Sequence, residues 1–204
     1  LIDFDYTGVD EKLLTCITLP TREKNEDYGL LYTRKGTNVF TTLTELKSAY
    51  KLGAKITIHT GIKFNLYTIA DDKKYPLALL FKDLINKRNQ YKKGTAENKF
   101  WKLVANSITG KIGQGLKHKR VYSYNADEMD EIPQSKITSP PYIVEITSLG
   151  RTIITEVMNC FILEGWKIIN VVTDGFLARS PEDKVITEND INLSLIHISE
   201  PTRL

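Results

Sequence analysis

The chain has 204 residues, of which 41% are hydrophobic and 26% charged; that is the balance of an ordinary globular protein, with enough chain for one substantial core or a domain with an appendage. No apolar run approaches the ~18 residues of a membrane span, and the N-terminal "LIDFDYTG" lacks the basic region and apolar core of a signal peptide. Net charge is +3 but uneven: Lys82 to Arg120 carries eleven Lys or Arg against two acids, a block of +9 in a remainder of −6, which suggests contact with a polyanion unless the run is simply a solvated helix face.

In chain order, "LIDFDY" alternates apolar and acidic residues and reads as a strand end. "EKLLTCITLP" reads as a short helix or turn running into Pro20, and "YGLLYTRKGTNVFTT" as extended chain turning at Gly36. "TLTELKSAYKLG" has Thr42 or Thr44 as N-cap, an apolar set of Leu46, Ala49 and Tyr50, and a stop at Gly53, which predicts a helix. "AKITIHTGIKFNLYTIA" predicts strand, turn, strand. From Pro76 the period becomes helical through about Lys93; Gly94 ends that helix and Thr95 caps a second, interrupted at Gly110. "HKRVYSYNADEMDEIPQS" is a polar excursion with a strand at its start, and a helix is predicted from about Ser148 to Glu164. In "IINVVTDGFLAR" two β-branched runs flank Asp174-Gly175, a tight hairpin signal. On this stretch alone Asp174 reads as a turn residue.

Strands, a helical pair, then strands around one helix define an α+β chain without βαβ repeats. Cys16 and Cys160 fit no metal-ligand spacing and read as reduced intracellular thiols, with one disulfide left open. "LSLIHISEPTR", residues 193–203, resembles a reading frame through a sequencing adaptor; 193–204 is set aside as a non-native tail, His197 with it, and the missing initiator Met fits an assembled fragment. "TGKIGQG" lacks P-loop spacing. Lys99, Lys102 and Asn106 share one helical face, Arg88 and Lys92 another, and two packed helices could join them into one surface suited to a triphosphate.

Several ordered stretches then resemble family B DNA polymerases. "KLVANSITGK" is similar to the family's "KxxxNSxYG", with Lys102, Asn106, Ser107 and Gly110 at matching positions. "LINKRNQYKKGTAENKFWK" resembles its basic fingers helix, with Arg88 in place; "DFDYTG" resembles the first carboxylate motif, with Asp5 as its metal-binding member; "VVTDGF" resembles the second, usually "DTDS"; and "ITSLGR" is like the segment before it. The stretch "TTLTELKSAYKLGAKITIHTG" most resembles the viral, plasmid and organellar branch, often protein-primed. Val172, Thr109 and Asp10 stand where the family carries an acid and two tyrosines.

The resemblance implies an antiparallel-sheet palm over 1–75 and 111–192, helices packed on it, and a two-helix fingers insertion over 76–110. It implies a DNA-directed DNA polymerase that adds dNTPs to a primer 3′-OH on a DNA template. Two Mg²⁺ ions, with Mn²⁺ as an alternative, would be held by Asp5, Asp174 and the Tyr6 carbonyl, the carboxylates sitting on adjacent strands of one sheet; Asp3 is the fallback ligand. Arg88 and Lys102 would grip the triphosphate and Asn106 orient the nucleotide, with Tyr6 lining the same site. Lys92, Lys99, Ser107, Thr109, Gly110 and Lys111 are the candidate DNA contacts. Expected partners are template-primer DNA, dNTPs and, in the protein-primed branch, a terminal protein; no membrane partner is expected. The expected location is intracellular: host cytoplasm, a virus or mobile element, or an organelle. Exonuclease and thumb regions are absent from the resemblance, so the fragment is expected to be incomplete as a polymerase. The alternatives are a non-catalytic nucleic-acid-binding module that keeps only the basic helices, and an unrelated α+β domain with chance matches.

Overall fold

The computed structural model describes residues 1–23, 26–64, 76–116, 120–124, 127–172 and 175–181. Asp174, the chain from 65 to 75 where the second strand after Lys55 was expected, and the 193–204 tail lie outside the described residues. In chain order the elements are β1 (Ile2–Asp5), β2 (Thr18–Glu23), β3 (Glu26–Tyr32), β4 (Lys35–Val39), α1 (Leu43–Lys51), β5 (Lys55–Ile58), α2 (Pro76–Asn89), α3 (Ala96–Ile112), β6 (Arg120–Ser123), β7 (Glu128–Glu131), α4 (Pro140–Leu163), β8 (Lys167–Val172) and β9 (Gly175–Arg179). The class is α+β: the described residues form four helices and small antiparallel sheets, ordered β4-β1-β5, β2-β3, β6-β7 and β8-β9. The chain divides into two compact units, Leu1–Ile62 with Glu145–Leu204, and Lys63–Val144.

The first unit is built on β1. Alternation turns Ile2 and Phe4 into the core and Asp3 and Asp5 to the other face. Around Ile2 and Phe4 pack Tyr6, Ile17, Val39 and Ala49. Gly36 lies opposite Phe4 inside β4, not at a turn as expected; a Cβ there would sit 2.5 Å from the Phe4 ring and 2.9 Å from Val39. The glycine is required by close approach rather than by its dihedrals. Of the short helix or turn expected before Pro20 the structure has the turn, followed by β2, whose partner β3 begins only after residue 25. Helix α1 begins at a capping box in which Thr42 Oγ1 accepts from the Glu45 amide and the Glu45 carboxylate accepts from Thr42 N. It gives way to Gly53 at φ +96°, a conformation glycine adopts without cost. Of its expected apolar set, Ala49 is buried and Tyr50 is exposed, because the buried face is largely polar: Glu45 and Ser48.

That polar face meets α4. Thr42 Oγ1 donates to Ser148 Oγ at 2.9 Å, Thr44 to Glu145, and Ser48 Oγ to Glu156 at 2.7 Å. Arg151 donates through Nε and Nη2 to Glu45 Oε1 at 3.1 and 2.6 Å. Asn159 grips the backbone of Leu14, accepting from its N–H at 2.8 Å and donating to its carbonyl at 3.0 Å. Helix α4 starts eight residues before the expected Ser148, since prolines at its first positions lose no hydrogen bond a helix would make there. Its 24 residues are long and apolar enough to cross a membrane; Ser148, Thr152, Thr155 and Asn159 are buried on it, and of these Ser148 meets Thr42 and Asn159 meets the Leu14 backbone.

In the second unit α2 ends at Asn89, short of the expected Lys93, because the Asn98 side chain donates to the carbonyls of Arg88 and Tyr91 at 3.0 and 3.2 Å and closes the helix there. Lys92 therefore lies in the connection, not on α2. Thr95 caps α3, accepting from Asn98 N. Helix α3 runs through Gly110 without interruption; its last carbonyls accept from Ser135 Oγ (Lys111 O) and Ser139 N (Ile112 O), and Thr138 Oγ1 donates to Gln114 O just beyond it. The expected strand after residue 119 is β6, paired with β7.

Candidate functional site

Asp5 ends β1 with a strand on each side. Its cross-strand partner on β4 is Lys35 and on β5 is Lys55. Thr7 donates to Asp5 Oδ1 through its amide at 2.7 Å and through its hydroxyl, and Lys35 Nζ sits 3.2 Å from Oδ2. These contacts, the Thr7 hydroxyl first, then its amide, then Lys35, hold the carboxyl at about 2. Asp3 shares this face but is spoken for: the Asn38 amide donates to Oδ1 at 2.8 Å, from a residue at φ +54°, and His59 Nε2 lies 2.9 Å from Oδ2. The Asn38 bond and then His59 lower its pKa. Asp3, Asp5, Lys35, Thr37, Lys55 and Thr57 line an open concavity on the sheet.

After Asp5 the chain makes a loop that sequence reasoning did not attach to any partner. Arg34 organises it. Its guanidinium donates to the carbonyls of Leu13 (3.1 Å), Tyr6 (3.0 Å), Val9 (2.6 Å) and Asp10 (3.4 Å), while its own carbonyl accepts from Tyr6 N at 2.8 Å. The Tyr6 carbonyl also accepts from Val9 N at 2.9 Å, so both of its lone pairs are in use. Its phenol is buried against Cys16, and burial pushes both groups up, leaving them neutral. Asp10 is an exposed turn residue whose Oδ1 accepts from Lys12 N at 3.0 Å. Nothing in the spacing of "TRKG" marks Arg34; its role follows from β4 starting where the loop folds back.

The hairpin expectation is met in form: β8 and β9 are antiparallel, with Val172 opposite Gly175 at the tip. Its expected place is not. Among the described residues β4 and β5 occupy both edges of β1 and β8-β9 forms its own ladder, so Asp5 and the hairpin strands are not neighbours in one sheet. Among the described residues no three His, Cys, Asp or Glu side chains cluster as a metal site. Asp5 offers what a hard cation needs from one ligand: an ionised carboxylate, about a third exposed, whose outward oxygen already carries a cation, the Lys35 ammonium.

In the second unit, Lys99, Lys102, Asn106 and Ser107 are exposed on α3, and Lys92 in the connection. Arg88 is half-buried, its Nε 3.5 Å from Asn98 Oδ1. Thr109 bonds back to the Ala105 carbonyl and Lys111 Nζ donates to Gln114 Oε1 at 2.7 Å; Gly110 is exposed, with open space where a Cβ would point. Lys87, paired with Asp83, lies 5.2 Å over the Trp101 ring and ties α2 to α3.

Comparison with curated proteins shows similarity to a DNA polymerase: 172 residues, 82% of this chain, align at 31% identity. That relative is the primer-independent DNA polymerase PolB of Escherichia coli, and the chain spans 19% of its length. No family model matches the chain, and no solved structure does. The chain is thus related to a DNA polymerase, and a family B fragment fits the match.

Proposed function

We propose that the chain is the palm and fingers portion of a family B DNA polymerase, working in template-directed transfer of dNTPs to a primer 3′-OH. The observation that carries this is the 31% identity to a DNA polymerase over 82% of the chain. Asp5 and Asp174 would hold Mg²⁺, which when bound stabilises the entering and leaving oxygens of phosphoryl transfer. The Tyr6 carbonyl would join them only by giving up a hydrogen bond. Thr7 fixes Asp5 Oδ1 so that Oδ2 faces outward. Arg88 and Lys102 would bind the triphosphate by charge-assisted hydrogen bonds and Asn106 would orient the nucleotide, while Lys92, Lys99, Ser107, Thr109, Gly110 and Lys111 border the DNA. The setting would be intracellular replication of a virus, plasmid or other mobile element. The relative is named as primer-independent; initiation by this chain's parent protein would be primer-independent, nucleic-acid-primed or terminal-protein-primed.

The test is Mg²⁺-dependent incorporation of labelled dNTP on primed and unprimed templates by the protein expressed from its native gene, with Asp5→Asn and Asp174→Asn beside it. Loss in both variants supports the assignment; undiminished incorporation in either overturns its role. The second reading, a non-catalytic nucleic-acid-binding module, is favoured by the separate β8-β9 ladder. It expects salt-sensitive DNA binding with no incorporation by the native protein.

A further inference from the structure

The row Lys35–Asp5–Lys55 places an ammonium stem on each side of the one carboxylate that ends β1. Thr7 occupies Oδ1 twice, so Oδ2 is the oxygen left for a ligand, and Lys35 Nζ is on it at 3.2 Å. The two consecutive cations, Arg34 and Lys35, differ in how they are tied. Arg34 is half-buried and bonded to four carbonyls, a staple of the loop. The Lys35 side chain is 68% exposed and meets Asp5 as a point charge on a flexible stem, a contact that breaks at little cost.

We infer that Lys35 is the internal counter-ion of Asp5: a divalent cation reaches Oδ2 only by exchanging with the Lys35 ammonium, and this lysine sets the free metal concentration at which the site loads. The inference rests on the reading of Asp5 as a metal-holding carboxylate. No bond is made or broken beyond the ion pair; one cation leaves the carboxylate and another enters. Removing the lysine therefore removes both a competitor for Oδ2 and a like charge beside the incoming ion. Lys55, on the other strand, contributes the like charge without the contact.

Mn²⁺ serves as the probe. Free Mn²⁺ is followed by electron paramagnetic resonance during titration of the wild-type chain and of Lys35→Met, Lys55→Met and Asp5→Asn, each checked for wild-type circular dichroism. Lys35→Met is expected to bind Mn²⁺ about three- to tenfold more tightly, and Lys55→Met no more than about twofold. Asp5→Asn is expected to lose the site. If Asp5→Asn loses binding while Lys35→Met binds no more tightly than wild type, the counter-ion role is overturned and the metal assignment survives. Equal tightening by Lys35→Met and Lys55→Met likewise overturns it, reducing the effect to general field. If Asp5→Asn binds Mn²⁺ as wild type does, or if neither wild type nor Lys35→Met binds, the metal assignment falls and the inference with it.

Discussion

Replacing Arg151 by methionine removes the fork that reaches Glu45 from α4. The pair is bidentate, at 3.1 and 2.6 Å, and the Glu45 side chain is 4% exposed while that of Arg151 is 26% exposed. Without the guanidinium, Glu45 keeps the Thr41 hydroxyl at 2.9 Å and the Thr42 amide at 3.3 Å but loses its only opposite charge in that contact. Breaking a buried pair from one side costs about 3–5 kcal/mol, and the partial exposure of Arg151 admits water, so the lower end applies, about 3 kcal/mol. The reverse truncation, Glu45→Gln, is milder at about 1–2 kcal/mol, since the orphaned guanidinium can reach solvent and Gln still serves the capping box. Urea unfolding followed by circular dichroism reads both. With a slope of about 2 kcal/mol per molar, Arg151→Met lowers the midpoint by about 1.5 M. Arg151→Lys falls between, because one donor replaces the fork. A midpoint shift for Arg151→Met smaller than that for Glu45→Gln would refute the asymmetry argued from burial, and a double variant with additive losses would refute the coupling.

Gly36→Ala should cost about 1–3 kcal/mol in urea unfolding, since its Cβ lands 2.5 Å from the Phe4 ring in a packed core. Asn159→Leu leaves the Leu14 N–H and carbonyl without partners and should cost about 2–4 kcal/mol by the same assay. The Asp5 carboxyl, followed by NMR, should titrate at about 2 and move up toward 3.8 in Thr7→Val. Because its folded pKa is depressed, its stabilising effect is complete above about pH 4 and is lost as pH falls through about 2; the acid-side fall in stability should be shallower in Thr7→Val.

What could be read locally was read well. The Thr42 cap, the Thr95 cap and the turn at Gly53 depend on side chains within four residues of the backbone they serve. Alternation in "IDFD" turned Asp5 away from the core. Most of the errors share a cause: a long-range partner outweighed local preference. Asn98 closed α2 before Lys93, Ser135 and Thr138 met the Lys111 carbonyl at the end of α3 past Gly110, and Pro140 and Pro141 opened α4 rather than breaking it. Gly36 read as a turn because sequence cannot show that Phe4 needs the space of its missing side chain.

By itself the sequence determined the helix caps, the outward face of β1 and the antiparallel form of the β8-β9 hairpin, all properties of residues close in the chain. Tertiary structure alone decided what each functional atom meets. It put Lys35 on Asp5, Arg34 on the carbonyls of residues 6–13 and His59 on Asp3, and it set β4 and β5 on both edges of β1 so that the β8-β9 hairpin forms a ladder of its own. Strand order and cross-strand neighbours join residues tens of positions apart, and they follow from which faces can be buried together, a choice no local pattern encodes.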